Sequence, residues 1–411
     1  MTRSVSDSDS VRRLNRGLVL GALRRHGDQS RTALAGLTGL SHASITAITQ
    51  DLLVQGLVEE RPGEKPDLRI RGRPPTRVGF RRPAAYAALF ELDVNRARLS
   101  LVDYGGVLVD RLETELTPTS FAAQPPVEFL AERLKALESR NPEAAPALKR
   151  VAISVQGILD REGTGLKWSP IPHLAGTRFA GELAERCGTV VTLHKRGRLL
   201  AEGARWLDPH LHDASVATVF VGSTVAMGLS LHGQITGRGE NGATEFGHMN
   251  HVPNGALCRC GMRGCIEAYA ADYGVLRTAY SVPETAAPAA AVPHQQYDAL
   301  IQRAEAGDRA ATHAFNLAGR AIGYGLARML AMFDPSHILL VGPGAGAMPL
   351  MRAEIEAALS SSLVCRINGM PRILAHLDER EPIFRGLAMK TLDAVDQDDF
   401  AGLAMESRQP A

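Results

Sequence analysis

Three of the five cysteines in this chain, Cys258, Cys260 and Cys265, fall within eight residues, and His248 stands ten residues before the first of them. A borderline-soft, filled-shell ion such as Zn²⁺ takes four thiolate or imidazole ligands in a tetrahedron. One His followed by Cys-x-Cys-x4-Cys supplies that number with none left over. Gly261 and Gly264 lie between the last two cysteines, where a chain wrapping an ion must turn tightly. Free cysteines also pack as small hydrophobes, but the neighbours Arg259, Gly261, Arg263 and Gly264 do not belong to a core strand. The expectation is a structural zinc held by His248, Cys258, Cys260 and Cys265. The other two cysteines, Cys187 and Cys365, are distant, so no paired framework is visible and a reducing compartment follows. Residues 1–8 lack the apolar run of a signal peptide, and no apolar run is long enough to span a bilayer, so the protein is expected in the cytoplasm.

Charge is unevenly distributed along the 411 residues. The whole chain is nearly neutral at +2, yet residues 1–82 carry 15 Lys/Arg against 8 Asp/Glu. A basic head on a mildly acidic body suggests a polyanionic partner at one end. The pattern of the head supplies a mechanism. Val11, Leu14, Leu18 and Leu23, with Val19 and Ala22 beside them, follow helical spacing, and Gly27 can end that helix. Ser30 is a natural cap for a short helix over residues 31–35, Gly39 makes a turn, and Ser41 caps a longer helix through Ile45, Ile48, Leu52 and Leu53. A strand at residues 57–60 and the basic, proline-stiffened turn Arg71-Gly72-Arg73-Pro74-Pro75 complete a winged helix-turn-helix over residues 1–82. In such a unit the second helix enters the major groove, which here presents Ser41, His42, Ala43, Ser44 and Thr46, with Gln50 a turn further on. Arg71 and Arg73 suit phosphates or the minor groove. A small helical bundle for protein contacts is the alternative; basic charge and wing favour double-stranded DNA.

The body reads as a two-lobed α/β fold of the actin-like kind. After Pro83, three short runs centred on residues 87–94, 96–101 and 107–109 form an antiparallel start. A helical pattern, the apolar run 151–155 ending near Gly157, and a helix near Phe179 follow. A second lobe opens at residues 216–221 with a hairpin at residues 229–234. Ile322, Leu326, Met329, Leu330 and Phe333 line one helical face, and residues 338–341 lead into Gly342 and Gly344. The first lobe is expected over residues 83–205, completed by a C-terminal helix at about 380–396, and the second over 206–379. Residues 281–295, rich in Ala and Pro, read as a surface insertion.

The box Glu245-x-Gly247-His248, the box Cys258-x-Cys260-Gly261-x-x-Gly264-Cys265-x-Glu267, and an N-terminal helix-turn-helix with its Gly-Arg-Pro-Pro wing together resemble the ROK family of repressors and sugar kinases, in its repressor branch. The resemblance implies a hexokinase-like (ribonuclease H-like) body, zinc on the four residues above, and a sugar held by Glu245, His248 and Glu267. Paired carboxylates and a fixed imidazole suit vicinal hydroxyls, each both donor and acceptor; ordinary solvated acids are the plainer account of Glu245 and Glu267. Kinase members carry an Asn-Asp pair whose Asp is the general base. Here Lys195 and Arg196 stand there, facing the sugar ring, and either favour an anionic guest or pair with nearby acids and plug the pocket. The Asp-x-Gly-x-Thr phosphate loop is replaced by Asp93-Val94-Asn95-Arg96-Ala97, and the second phosphate loop has Thr224 and Ala226 in place of glycine. The expected protein is therefore not an enzyme. It is a DNA-binding transcriptional regulator, a repressor of carbohydrate genes, whose catalytically inactive body senses a sugar, sugar phosphate or sugar acid and which works as a homodimer or homotetramer. A sugar kinase, and a regulator that has lost its effector, are the two rivals.

Overall fold

In a computed structural model of the chain, residues 5–63, 76–176, 178–236, 245–378 and 380–400 are described. Among them no helix is long and apolar enough to cross a membrane. The chain opens with α1 (Val5–His26), α2 (Arg31–Thr38) and α3 (His42–Val54), followed by β1 (Val58–Arg61) and β2 (Arg77–Phe80). α1 begins six residues earlier than its apolar spacing suggests. Local chemistry fixes the helix-turn-helix. The Ser30 hydroxyl accepts from the Ala33 amide, Gly39 takes the left-handed φ of 70° that stops α2, and Ser41 accepts from the Ser44 amide to start α3. α3 buries Ile45, Ile48, Thr49 and Leu52 and turns its other face outward. β1 and β2 pair antiparallel, with Gln29–Ser30 on the far side of β2, forming the base of the wing. The wing tip, including Arg71 and Arg73, lies outside the described residues.

The body holds two five-stranded sheets of the same plan. In the first lobe β3 (Tyr86–Leu92), β4 (Arg96–Asp103) and β5 (Leu108–Glu115) form an antiparallel meander. After α4 (Pro126–Arg140), β6 (Leu148–Val155) joins β3 in parallel. α5 (Phe179–Cys187) then leads to β7 (Val190–Lys195), parallel to β6, giving the order β7-β6-β3-β4-β5. α6 (Arg196–Leu207) crosses to the second lobe, where β8 (Val216–Val221), β9 (Val225–Leu231) and the short Gln234–Ile235 repeat the meander. β10 (His337–Val341) then adds in parallel beside β8, and β11 (Arg372–His376) in parallel beside β10. Two copies of one mixed sheet facing each other are the actin-like, hexokinase-like architecture.

Between β9 and β10 runs α7 (Arg309–Leu330), which packs on α8 (Met348–Ser360) at two glycines where backbone meets backbone: a Cβ on Gly319 would lie 2.7 Å from the Met351 carbonyl. The helix ends at Leu330, so Phe333, expected on its buried face, sits beyond it and is 38% exposed. The C-terminal α9 (Arg380–Ala394) returns to the first lobe and lies along α6. One apolar cluster fills the space between this pair and the head: Leu20, Leu23 and Leu52 belong to the same contiguous core as Leu199, Leu200, Leu387 and Leu392.

Candidate functional site

The facing lobes frame an open cleft lined by Gln156, Trp168, Lys195, Arg196, Glu245 and Glu267. Its floor comes from a chain reversal: β7 ends at Lys195, α6 begins at Arg196, and the first turn of α6 opens on the cleft. Gly197 is required there, since a Cβ would stand 2.6 Å from the Met227 carbonyl on β9. The opposite wall is the one-turn helix Phe246–His248 and the helix Glu267–Ala270.

His248, Cys258, Cys260 and Cys265 come together, with all their ligand atoms within 4.8 Å of one another. His248 Nδ1 lies 3.7 Å from Cys258 Sγ, and Cys260 Sγ 3.7 Å from Cys265 Sγ. Gly264, at φ 80°, lets the loop close: a Cβ there would collide with the Val252 carbonyl. Burial favours neutral His248, but the neighbouring thiols outweigh it and hold the proton up to about 11. The same crowding drives Cys260 down and Cys265 up, so the four groups share protons that a divalent cation would displace. The cluster has the donor set and closeness for one metal ion.

Glu267 touches this centre from below. It is buried, accepts from the Val225 amide at 3.2 Å, and lies 3.6 Å from Cys258 Sγ and 3.4 Å from the Tyr273 hydroxyl. Burial pushes its carboxyl up to about 7. The Trp168 ring meets the His248 ring edge-on at 5.3 Å, making an apolar panel beside these polar groups.

Lys195 and Arg196 both line the cleft, and each is matched with an acid. Lys195 Nζ reaches across the lobes to Glu245 Oε1 at 2.5 Å, leaving Glu245 partly exposed. Arg196 Nη2 donates to Asp93 at 2.8 Å while its guanidinium lies over Phe220 at 4.9 Å. Asp93 also accepts from Gln156 and Ser223. Burial alone would raise Asp93, but Arg196 prevails and holds it at about 2. Where an Asp-x-Gly-x-Thr loop would admit phosphate, an internal ion pair therefore stands. Arg259, between two cysteines of the cluster, donates to the Ser223 and Ala289 carbonyls and ties the second phosphate-loop position to the surface segment before residue 294.

In the head, Ser41, His42, Ala43, Thr46 and Gln50 are exposed on one side of α3, with Ser44 half-buried. Ser41 and Ser44 bond each other at the cap, and Thr46 donates to the His42 carbonyl. Sequence reading missed Trp168, Gln156 and Arg198 in the cleft. Gln156 follows the apolar run of β6, where a strand end flags a cleft residue; Trp168 ends the three-residue strand Leu166–Trp168, too short a run to give such a signal.

The sequence pattern of the ROK family matches residues 97–386. The chain is 22% identical over 365 residues to the xylose repressor of Bacillus subtilis (strain 168), covering 87% of this chain and 91% of that protein. It is 30% identical over 220 residues to the glucokinase of Thermotoga maritima, covering 51% of this chain and 67% of that protein. Among solved structures it resembles a ROK family transcriptional regulator described as a homolog of the E. coli MLC protein, with a TM-score of 0.73 at 19% identity, over 95% of this chain and 99% of that one.

Proposed function

The chain belongs to the ROK family, and from that premise we propose that it is a DNA-binding transcriptional repressor of carbohydrate genes, with a kinase-like body that senses a sugar. One observation carries this reading. The outer face of α3, with His42, Ala43 and Gln50 exposed, and a polar cleft between the lobes belong to one chain whose head and body share a core. The relative that spans both parts is named a repressor, whereas the glucokinase match covers half the chain.

The sugar is held by Glu245, His248 and Glu267, with Trp168 against its apolar face. Lys195 and Arg196 are neutralised by Glu245 and Asp93, which favours a neutral sugar over a sugar phosphate or acid. The same pairs support loss of phosphoryl transfer. No carboxylate stands at the position of the general base, and Asp93, the remaining phosphate-loop acid, is engaged by Arg196. The metal is structural zinc. With Zn–S of about 2.3 Å a tetrahedron has sulfur–sulfur edges of about 3.8 Å, against 3.7 Å between Cys260 and Cys265. Zinc would fix the His248 ring and the loop leading to Glu267. Arg71 and Arg73 serve the wing, and the chain acts in the cytoplasm as a homodimer or homotetramer.

The reading is tested by selecting duplexes from a random library with the full-length protein, then measuring affinity with and without xylose, glucose, N-acetylglucosamine, xylose 5-phosphate, glucose 6-phosphate and N-acetylglucosamine 6-phosphate. Selection of one motif whose affinity drops with a sugar supports it. Binding that is equal for all duplexes would end it.

A further inference from the structure

The cleft and the DNA-binding head are joined by two helices in backbone contact. α6 starts in the cleft at Arg196 and ends about 18 Å away at Leu207. α9 lies against it so closely that a Cβ on Gly203 would stand 1.9 Å from the Pro382 carbonyl and one on Gly386 2.2 Å from the Leu199 carbonyl. Helices packed this way cannot slide independently without a clash, so the pair moves as one body.

At the near end, Lys195 immediately precedes α6 and spans the cleft to Glu245. At the far end both helices meet the head. The Trp206 ring of α6 lies under the Arg25 guanidinium of α1, 4.8 Å from its centroid. The turn Val395–Asp399 that continues α9 presents Asp396, which receives two bonds from Arg24 of α1, at 2.5 and 3.1 Å, and one from the Tyr104 hydroxyl at 2.7 Å. The Arg24 side chain is 1% exposed and that of Asp396 7%. Arg24 is also sandwiched over Phe80, at the end of β2, and Tyr104. A bidentate, desolvated pair of this kind tolerates little misalignment: without Asp396, buried Arg24 keeps only the longer contact to the more exposed Asp393 at 3.6 Å.

We propose that α6 and α9 form a strut carrying the state of the cleft to the head, with the Lys195–Glu245 pair as the latch at one end and the Arg24–Asp396–Tyr104 cluster as the joint at the other. A sugar that takes Glu245 releases Lys195, α6 shifts with α9, and the seat of α1 changes with it. This rests on the cleft being the ligand site, and it names how that site regulates the head.

Hydrogen exchange of the full-length protein, read in peptides covering residues 19–26 and 245–249, tests it with the six sugars above as probes. A sugar that protects 245–249 should also change exchange in 19–26, and Asp396→Asn should speed exchange in 19–26 by roughly two orders of magnitude while the sugar still protects 245–249. Protection at 245–249 with 19–26 unchanged would overturn the strut and leave sugar sensing intact. If no sugar protects 245–249, the sugar reading fails and Lys195→Met decides the strut alone. Cutting the latch should alter exchange in 19–26, and no change there would refute the proposal.

Discussion

Single residues in this protein are decided by their partners more than by their type. Cys260 is half-exposed between two other thiols and His248, so losing it leaves three ligands where four close a tetrahedron. Cys260→Ser should lower bound zinc from one per chain to nearly none in metal analysis of reduced protein, with faster proteolysis of the 245–267 loop. Arg196 and Asp93 behave as a unit. Asp93 is held at about 2, below its ordinary 3.8, so its contribution is complete above pH 4 and disappears as pH falls from about 4 to 2. The loss is on the order of 2 kcal/mol. Asp93→Asn should flatten the decline in Tm over that window, and should also lower Tm at pH 7 because Arg196 is left buried without an anion. An unchanged acid slope in calorimetry would mean that another carboxylate sets it.

At the scale of elements, the same helix carries separable duties. α3 needs Ser41 to begin, since its hydroxyl satisfies the Ser44 amide. Gln50 lies on the exposed face with no hydrogen bond found to the described protein. Ser41→Ala should cost about 1 kcal/mol of stability, seen in chemical denaturation, and weaken all duplexes in proportion to the helix it frays. Gln50→Ala should leave stability unchanged and lose about 1–3 kcal/mol of discrimination at one base position. A uniform loss across sequences for Gln50→Ala would assign it to the backbone instead. The paired sheets show a similar division: β3 and β8 are buried central strands that hold each lobe, whereas the turn between β7 and α6 supplies the cleft.

For the whole molecule, charge and the short reach of one recognition helix set the terms of DNA binding. The excess of basic residues is confined to the head, and one recognition helix reads only a few base pairs. Specific binding should therefore require two copies on half-sites about one helical turn apart, visible as a two-to-one complex in sedimentation and as lost affinity when the half-sites are moved by half a turn. Arg73→Ala should reduce the slope of log affinity against log salt by about 1 and weaken specific and random duplexes alike. A change confined to one base position would move Arg73 from the phosphates to a groove.

The sequence alone determined what depends on residues close together in the chain. Ser30, Gly39 and Ser41 mark the helix-turn-helix because caps and left-handed turns are local, and the His/Cys cluster that could hold a metal is legible because Cys-x-Cys-x4-Cys and its histidine lie within 18 residues. The loss of the Asn-Asp pair at Lys195 and Arg196 was equally readable. Their roles were not, since the acids that meet them, Glu245 and Asp93, are 50 and 103 residues away and arrive only through tertiary packing. Trp168 entered the cleft in the same way. The seat of the head was invisible for the strongest form of this reason: Arg24 and Asp396 are 372 residues apart, and no periodicity or motif encodes a contact between the first helix and the last turn. Only packing of α9 on α6 brings them together, because burying the apolar faces of those helices fixes where the C-terminal carboxylates must lie.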